Sequence, residues 1–100
     1  MFELLEPWQA IAEEQRVPLE DELAREVSAD HLLAGKSVRA VARRQDCDDV
    51  LFEVSGIGYV VVHLTWSQRR ETSSHWPKTE TFESLVAWIE RRMKPHHEGF

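Results

Sequence analysis

The stretch DDVLFEVSGIGYVVVHLTW, residues 48–66, decides the fold. Val50, Phe52 and Val54 alternate with Leu51 and Glu53, and Val60, Val62, Leu64 and Trp66 alternate with Tyr59, Val61, His63 and Thr65. A period of two sends neighbouring side chains to opposite faces of a strand, so the stretch predicts two strands. SGIG between them supplies the glycines that a tight hairpin requires. Upstream, SVRAVARRQ repeats the pattern, with Val38, Ala40 and Ala42 opposed to Arg39, Val41 and Arg43. The intervening QDCDD is a polar turn whose aspartates bond their own backbone. Three strands joined by short links make an antiparallel meander.

Helices flank the meander. In VPLEDELAREVSADHL, Pro18 suits a first turn, Glu20, Asp21 and Glu22 complement the helix N-terminus, and Leu19, Leu23 and Val27 recur every fourth residue. After the meander, residues 67–78 are polar and contain Pro77, which predicts a loop. Thr81 then reads as an N-cap, Phe82, Leu85, Val86, Ile89 and Met93 as an apolar stripe, and Arg91, Arg92 and Lys94 as a basic last turn. Pro95 ends that helix. The predicted fold is a single α+β domain, α-β-β-β-α, with a three-stranded antiparallel meander and two helices packed on one of its faces. Residues 1–16 are expected to be irregular or extended, and residues 95–100 to form a frayed tail.

Composition narrows the class. One hundred residues, 42% hydrophobic and 30% charged, suffice for one buried core and leave no room for a second domain. No apolar run approaches the ~20 residues of a membrane helix. MFELLEPWQA carries glutamates where a signal peptide carries lysine or arginine, which predicts a cytoplasmic protein with no membrane partner. The single cysteine, Cys47, fits a reducing compartment. The net charge of −6 is unevenly spread: acids dominate residues 1–30, whereas residues 31–45 hold Lys36, Arg39, Arg43 and Arg44 and no acid.

The second sheet face collects Arg39, Val41, Arg43, Leu51, Glu53, Tyr59, Val61, His63 and Thr65, which is too apolar for a face left in water. Two expectations follow. The N-terminal Phe2, Leu4, Trp8 and Ile11 segment or a second subunit covers it, or it is a partner or ligand surface, with self-association through the open face one form of this.

The run RRQDCDDVLFEV followed by YVVVHLTW, preceded by HLLAGK and followed by Trp76-Pro77 and a short amphipathic helix, resembles a group of small bacterial proteins without assigned function. The likeness covers residues 31–90. It implies a single-domain cytoplasmic protein and carries over no catalytic residues.

Chemistry-bearing motifs are sparse. Asp46, Asp48 and Asp49 surround Cys47 and favour its protonated thiol, so no nucleophile is assigned there. The same aspartates lack the glycine and distal glutamate of a calcium loop. His96 and His97 are adjacent, but a metal site needs further ligands on a fixed backbone. No metal site, cofactor or catalytic residue is assigned. His63 is the titratable group that a strand holds most rigidly, beside Tyr59 and Thr65. The α-β-β-β-α order is also that of double-stranded RNA-binding domains. The acidic start of the second helix, TETFES, and the QDCDD turn repel phosphates, so nucleic acid is not the expected partner.

Four tryptophans remain. Trp88 and Trp8 have packing roles available, whereas Trp66 and Trp76 bracket SQRRETSSHWP, where a rigid aromatic beside arginines has hot-spot composition. The expected function is a non-catalytic binding protein, a protein–protein interaction, accessory or inhibitor module. Its expected partner surface holds Arg69, Arg70, His75, Trp76, Arg39 and His63. The alternative is a small enzyme using His63 on the open sheet face.

Overall fold

The computed structural model describes residues 4–27, 29, 31–64 and 78–99. Strand β1 (Trp8–Ala10), helix α1 (Glu13–Glu26) and strands β2 (Val38–Arg44), β3 (Asp49–Val54), β4 (Gly58–His63) and β5 (Lys78–Phe82) follow in that order. Helix α2 (Leu85–Trp88), a π-helical turn (Ile89–Met93) and helix α3 (Lys94–Glu98) complete the chain. Backbone angles stay right-handed helical at both junctions, so residues 85–98 form one C-terminal helix with a π turn inside it. Among the described residues, no helix is long and apolar enough to cross a membrane.

The sheet is an antiparallel meander of five strands, β1-β2-β3-β4-β5, and not the three that periodicity predicts. The central three lie where expected. β5 was missed because KTETF is short, polar and preceded by Pro77, so its alternation carries little apolar signal. Thr81, expected to cap the last helix, is a strand residue opposite Val60. The observed cap is Ser84, whose hydroxyl accepts the Ala87 N–H at 3.1 Å. We predict that Ser84→Ala lowers stability by about 1 kcal/mol. Thr81→Val, which keeps β-branching, should stay within about 0.5 kcal/mol of wild type. Urea unfolding of the two variants checks both.

Helix α1 begins at Glu13, inside the segment expected to be irregular. Glu13 and Glu14 occupy its first turn, and the Gln15 side chain accepts the Ala12 N–H at 3.3 Å. Pro18 is therefore interior rather than in the first turn. At the other end, the chain expected to fray after Pro95 is helical to Glu98, with Pro95 in the helical turn that follows the π turn.

Two cores line the two faces of the sheet. Leu19, Leu23 and Val27 of α1, with Leu33, pack on Ala40, Val50, Phe52, Val54, Val60, Val62 and Leu64. Trp88 and Met93 of the C-terminal helix, with Trp8, pack on Ala42, Leu51, Val61 and Phe82. The two helices therefore do not share a face. Leu85 and Ile89, expected in the first core, lie against the second, and Val86 is exposed. The physical reason is the apolar second face itself, which the C-terminal helix and the Leu4, Leu5 and Trp8 segment remove from water. Ala42 also changes side. Ala40 pairs with Phe52 but Ala42 with Leu51, so a bulge at Val41 inserts one residue and flips the alternation.

Edges are managed as well. β1 covers β2 only from Ala42 to Arg44, and further along that edge the Ala40 N–H donates to Glu20 Oε2 of α1 at 2.9 Å. A helix carboxylate thus occupies a donor that an unprotected edge offers to another strand.

Candidate functional site

Register divides the second face into three rows. Ala42, Leu51, Val61 and Glu80 form the middle row, which the C-terminal helix crosses. Arg39, Glu53, Tyr59 and Phe82 form the row on one side, and Asp49, His63 and Lys78 the row on the other. Two polar margins thus flank the helix.

At the first margin, strands hold Arg39 and Glu53 exposed and Tyr59 half-buried. The Tyr59 hydroxyl donates to Glu53 Oε2 at 3.3 Å. Burial first, and then the Glu53 carboxylate, push the phenol above its ordinary value. Arg39 faces Glu53 across the strands yet forms no ion pair among the described residues. Ile11, Val41 and Leu85 supply an apolar floor beside these three, and Glu13 and Arg16 complete the rim. Charged heads on strand-anchored stems over apolar ground are a preorganised contact surface.

At the second margin, His63 donates from Nδ1 to Asp49 Oδ1 at 2.8 Å, since an ionised carboxylate only accepts. Lys78, Thr79, Glu80 and Val61 line the same open groove, of about 460 Å³. Glu80 is held in turn by Arg92, whose guanidinium meets both carboxylate oxygens. Arg92 lies in the π turn, which adds a residue to the helical repeat and so re-aims the side chains that follow.

The structure does not bring the two described candidate residues together. Arg39 and His63 belong to opposite margins; the rows they occupy are four β4 residues apart, about 13 Å along a strand. Arg69, Arg70, His75 and Trp76, together with Trp66, lie outside the described residues. Nor is the second face open, as self-association through it requires: its apolar centre is occupied by the chain's own helix and N-terminal segment.

The remaining candidates are accounted for by packing. Burial pushes the Cys47 thiol above its ordinary value, and the Asp49 and Asp46 charges add to this, against a backbone hydrogen bond at Asp49 and the Arg44 charge. A thiol so placed is protonated at neutral pH and a poor nucleophile. Asp46 is engaged by Arg44, at 2.8 and 2.7 Å, and its carboxyl is held below the usual range mainly by that contact. Among the described residues, no three His, Cys, Asp or Glu side chains group closely enough to hold a metal ion.

Sequence periodicity passed over Glu22 and Glu26, both fully buried on α1 and both partnered. Their signal was present: they fall three and seven residues after Leu19, on the stripe that faces the sheet. His31 is buried too, and its Nδ1 accepts the Leu33 N–H at 3.0 Å, which fixes the turn after α1.

Fold and margins together define a small α+β domain, a five-stranded meander with one helix on each face and side chains presented at the ends of one face. No protein-family model, curated protein or solved structure matches the chain.

Proposed function

We propose that this chain is a non-catalytic binding protein, an accessory or inhibitor module of the cytoplasm. Its partner is another protein that docks on the Arg39, Glu53 and Tyr59 margin. One observation carries the proposal: Arg39 of β2 stands exposed and, among the described residues, without an ion pair, beside Tyr59 and near Ile11, Val41 and Leu85. Arginine and tyrosine are among the residue types that dominate interface energetics, and here they stand together beside partly buried apolar side chains. The chemistry selects a partner with a carboxylate to meet the guanidinium and an apolar side chain to meet the floor. Arg69, Arg70, His75 and Trp76 are proposed as a further part of the partner surface.

The test is affinity capture from a lysate of its own cells, followed by titration of the purified partner. Arg39→Ala and Tyr59→Ala should each weaken binding by about 2 kcal/mol, roughly 30-fold, with thermal stability close to wild type in Arg39→Ala and lowered by about 1–2 kcal/mol in Tyr59→Ala, which also loses packing on the second core. Undiminished affinity in both variants would remove this surface from consideration.

A second reading rests on the Asp49–His63 pair. A carboxylate that orients an imidazole is the arrangement a general base uses, and it lies in an open groove. A turnover found with wild type and lost in His63→Ala but kept in Arg39→Ala would favour this small-enzyme alternative.

A further inference from the structure

The N-terminal segment is clasped by the C-terminal helix at four points. The Leu5 N–H donates to Met93 Sδ at 3.5 Å. The Trp8 ring meets Trp88 edge-on, with centroids 5.0 Å apart. The Trp8 indole N–H donates to His96 Nδ1 at 3.0 Å, with the two rings nearly parallel at 16° and their centroids 6.0 Å apart. Finally, His97 Nδ1 donates to the Glu6 carbonyl at 2.7 Å. Two histidines thus hold one strand-forming segment, in opposite chemical roles.

Those roles differ in what a proton does to them. An indole N–H only donates, so His96 must offer a lone pair at Nδ1 and carry its single proton on Nε2. A carbonyl only accepts, so His97 donates and keeps its bond when protonated. Protonation of the pair therefore cancels one bond of the clasp and spares the other.

We propose that His96 is a proton-operated latch: in its neutral form it holds Trp8 and strand β1 against the C-terminal helix, and on protonation it releases them. The charged groups that act on the ring are Arg44 of β2, Asp46 of the following turn, Asp49 of β3 and Arg92 of its own helix. Trp8, from β1, brings no charge. Burial is the main influence against the charged ring, followed by Arg44 and Arg92; Asp49 and Asp46 oppose it.

Direction in pH follows from this balance. The fold lowers the His96 value below the ordinary 6.5, so the unfolded segment takes up the proton first. The clasp is fully favoured above pH 6.5 and is lost as pH falls through the lowered value. Opening uncovers Ala42 and Leu51 and frees the β2 edge at Ala42–Arg44, which β1 otherwise pairs. The latch is thus a route by which acidification presents a new strand edge and apolar surface, distinct from the Arg39 margin.

The experiment is a pH titration from 7.5 to 5 of ¹⁵N-labelled protein, following the Trp8 indole N–H and the amides of residues 5–10. Wild type should show these signals moving together toward unstructured positions, with a midpoint below 6.5. In His96→Gln, where an amide oxygen accepts the indole N–H without titrating, they should stay in place over the same range. In His97→Gln the transition should persist. Immobile signals in wild type, an unchanged transition in His96→Gln or its loss in His97→Gln would each overturn the proposal, and none of these bears on partner binding at Arg39.

Discussion

Trp88→Ala should lower the unfolding free energy by about 3–5 kcal/mol, the range for removing a large aromatic from a packed core. The side chain has no exposed surface and stands at the centre of the second core, with Trp8 packed edge-on at 5.0 Å. Collapse cannot readily fill the space. Leu51 and Val61 below it are fixed by the sheet, and Trp8 is held by the clasp. The pair also carries geometry-specific energy, so Trp8→Ala and Trp88→Ala should be non-additive by about 0.5–1.5 kcal/mol in a double-mutant cycle. Urea unfolding by circular dichroism measures both. A loss below about 1 kcal/mol for Trp88→Ala would mean that the helix does not close the second face.

The second large effect is expected at Gly58. Its φ of +123° is one that other residues rarely adopt, and a Cβ placed there would stand 2.6 Å from the Phe82 carbonyl oxygen. That oxygen is backbone, so relief requires β4 and β5 to separate where Tyr59 pairs with Phe82. Gly58→Ala should therefore cost about 3 kcal/mol, combining backbone strain with disrupted pairing. Gly56 is the internal control. Its φ is +81°, but nothing lies within 4 Å of an added Cβ, so Gly56→Ala should cost only the left-handed penalty, about 1–2 kcal/mol. Equal losses at the two positions would contradict the close approach of β5 to the hairpin.

Much of this architecture is legible from residue order alone. Period-two alternation locates β2, β3 and β4, and four-residue recurrence locates the buried stripe of α1 and the Leu85, Ile89 and Met93 stripe of the last helix. Even the excess of apolar residues on the second face is a correct sign that something covers it. What covers it is not legible, because periodicity says that a helix has a buried stripe and not which sheet face receives it. The bulge at Val41 is similarly silent: one extra residue reverses a strand's facing without altering its composition. β5 is hidden because Lys78 closes a polar stretch that reads as loop, while Thr81 and Phe82 read as the N-cap and first apolar residue of the last helix, although threonine and phenylalanine also suit a strand.

The candidate sites follow the same division. Arg39 and His63 are both visible as polar residues on strands, and their assignment to one face is correct. Their separation into two margins depends on the helix that crosses between them, which only the fold provides. The Asp49–His63 contact joins residues on adjacent strands, and pairing register must be known before it can be seen. His96 read as part of a frayed histidine tail, since its partner Trp8 lies at the opposite end of the chain.

The central claim is that a protein partner docks on the Arg39 margin. The most direct measurement is hydrogen exchange of the chain, free and saturated with its captured partner, resolved to short peptides by mass spectrometry. Added protection is expected over residues 37–41, at the start of β2, and residues 53–59 of the β3–β4 hairpin, with peptides covering His63 and residues 78–80 unchanged. Protection centred on Asp49, His63 and Lys78, with the Arg39 peptides unaltered, would contradict it.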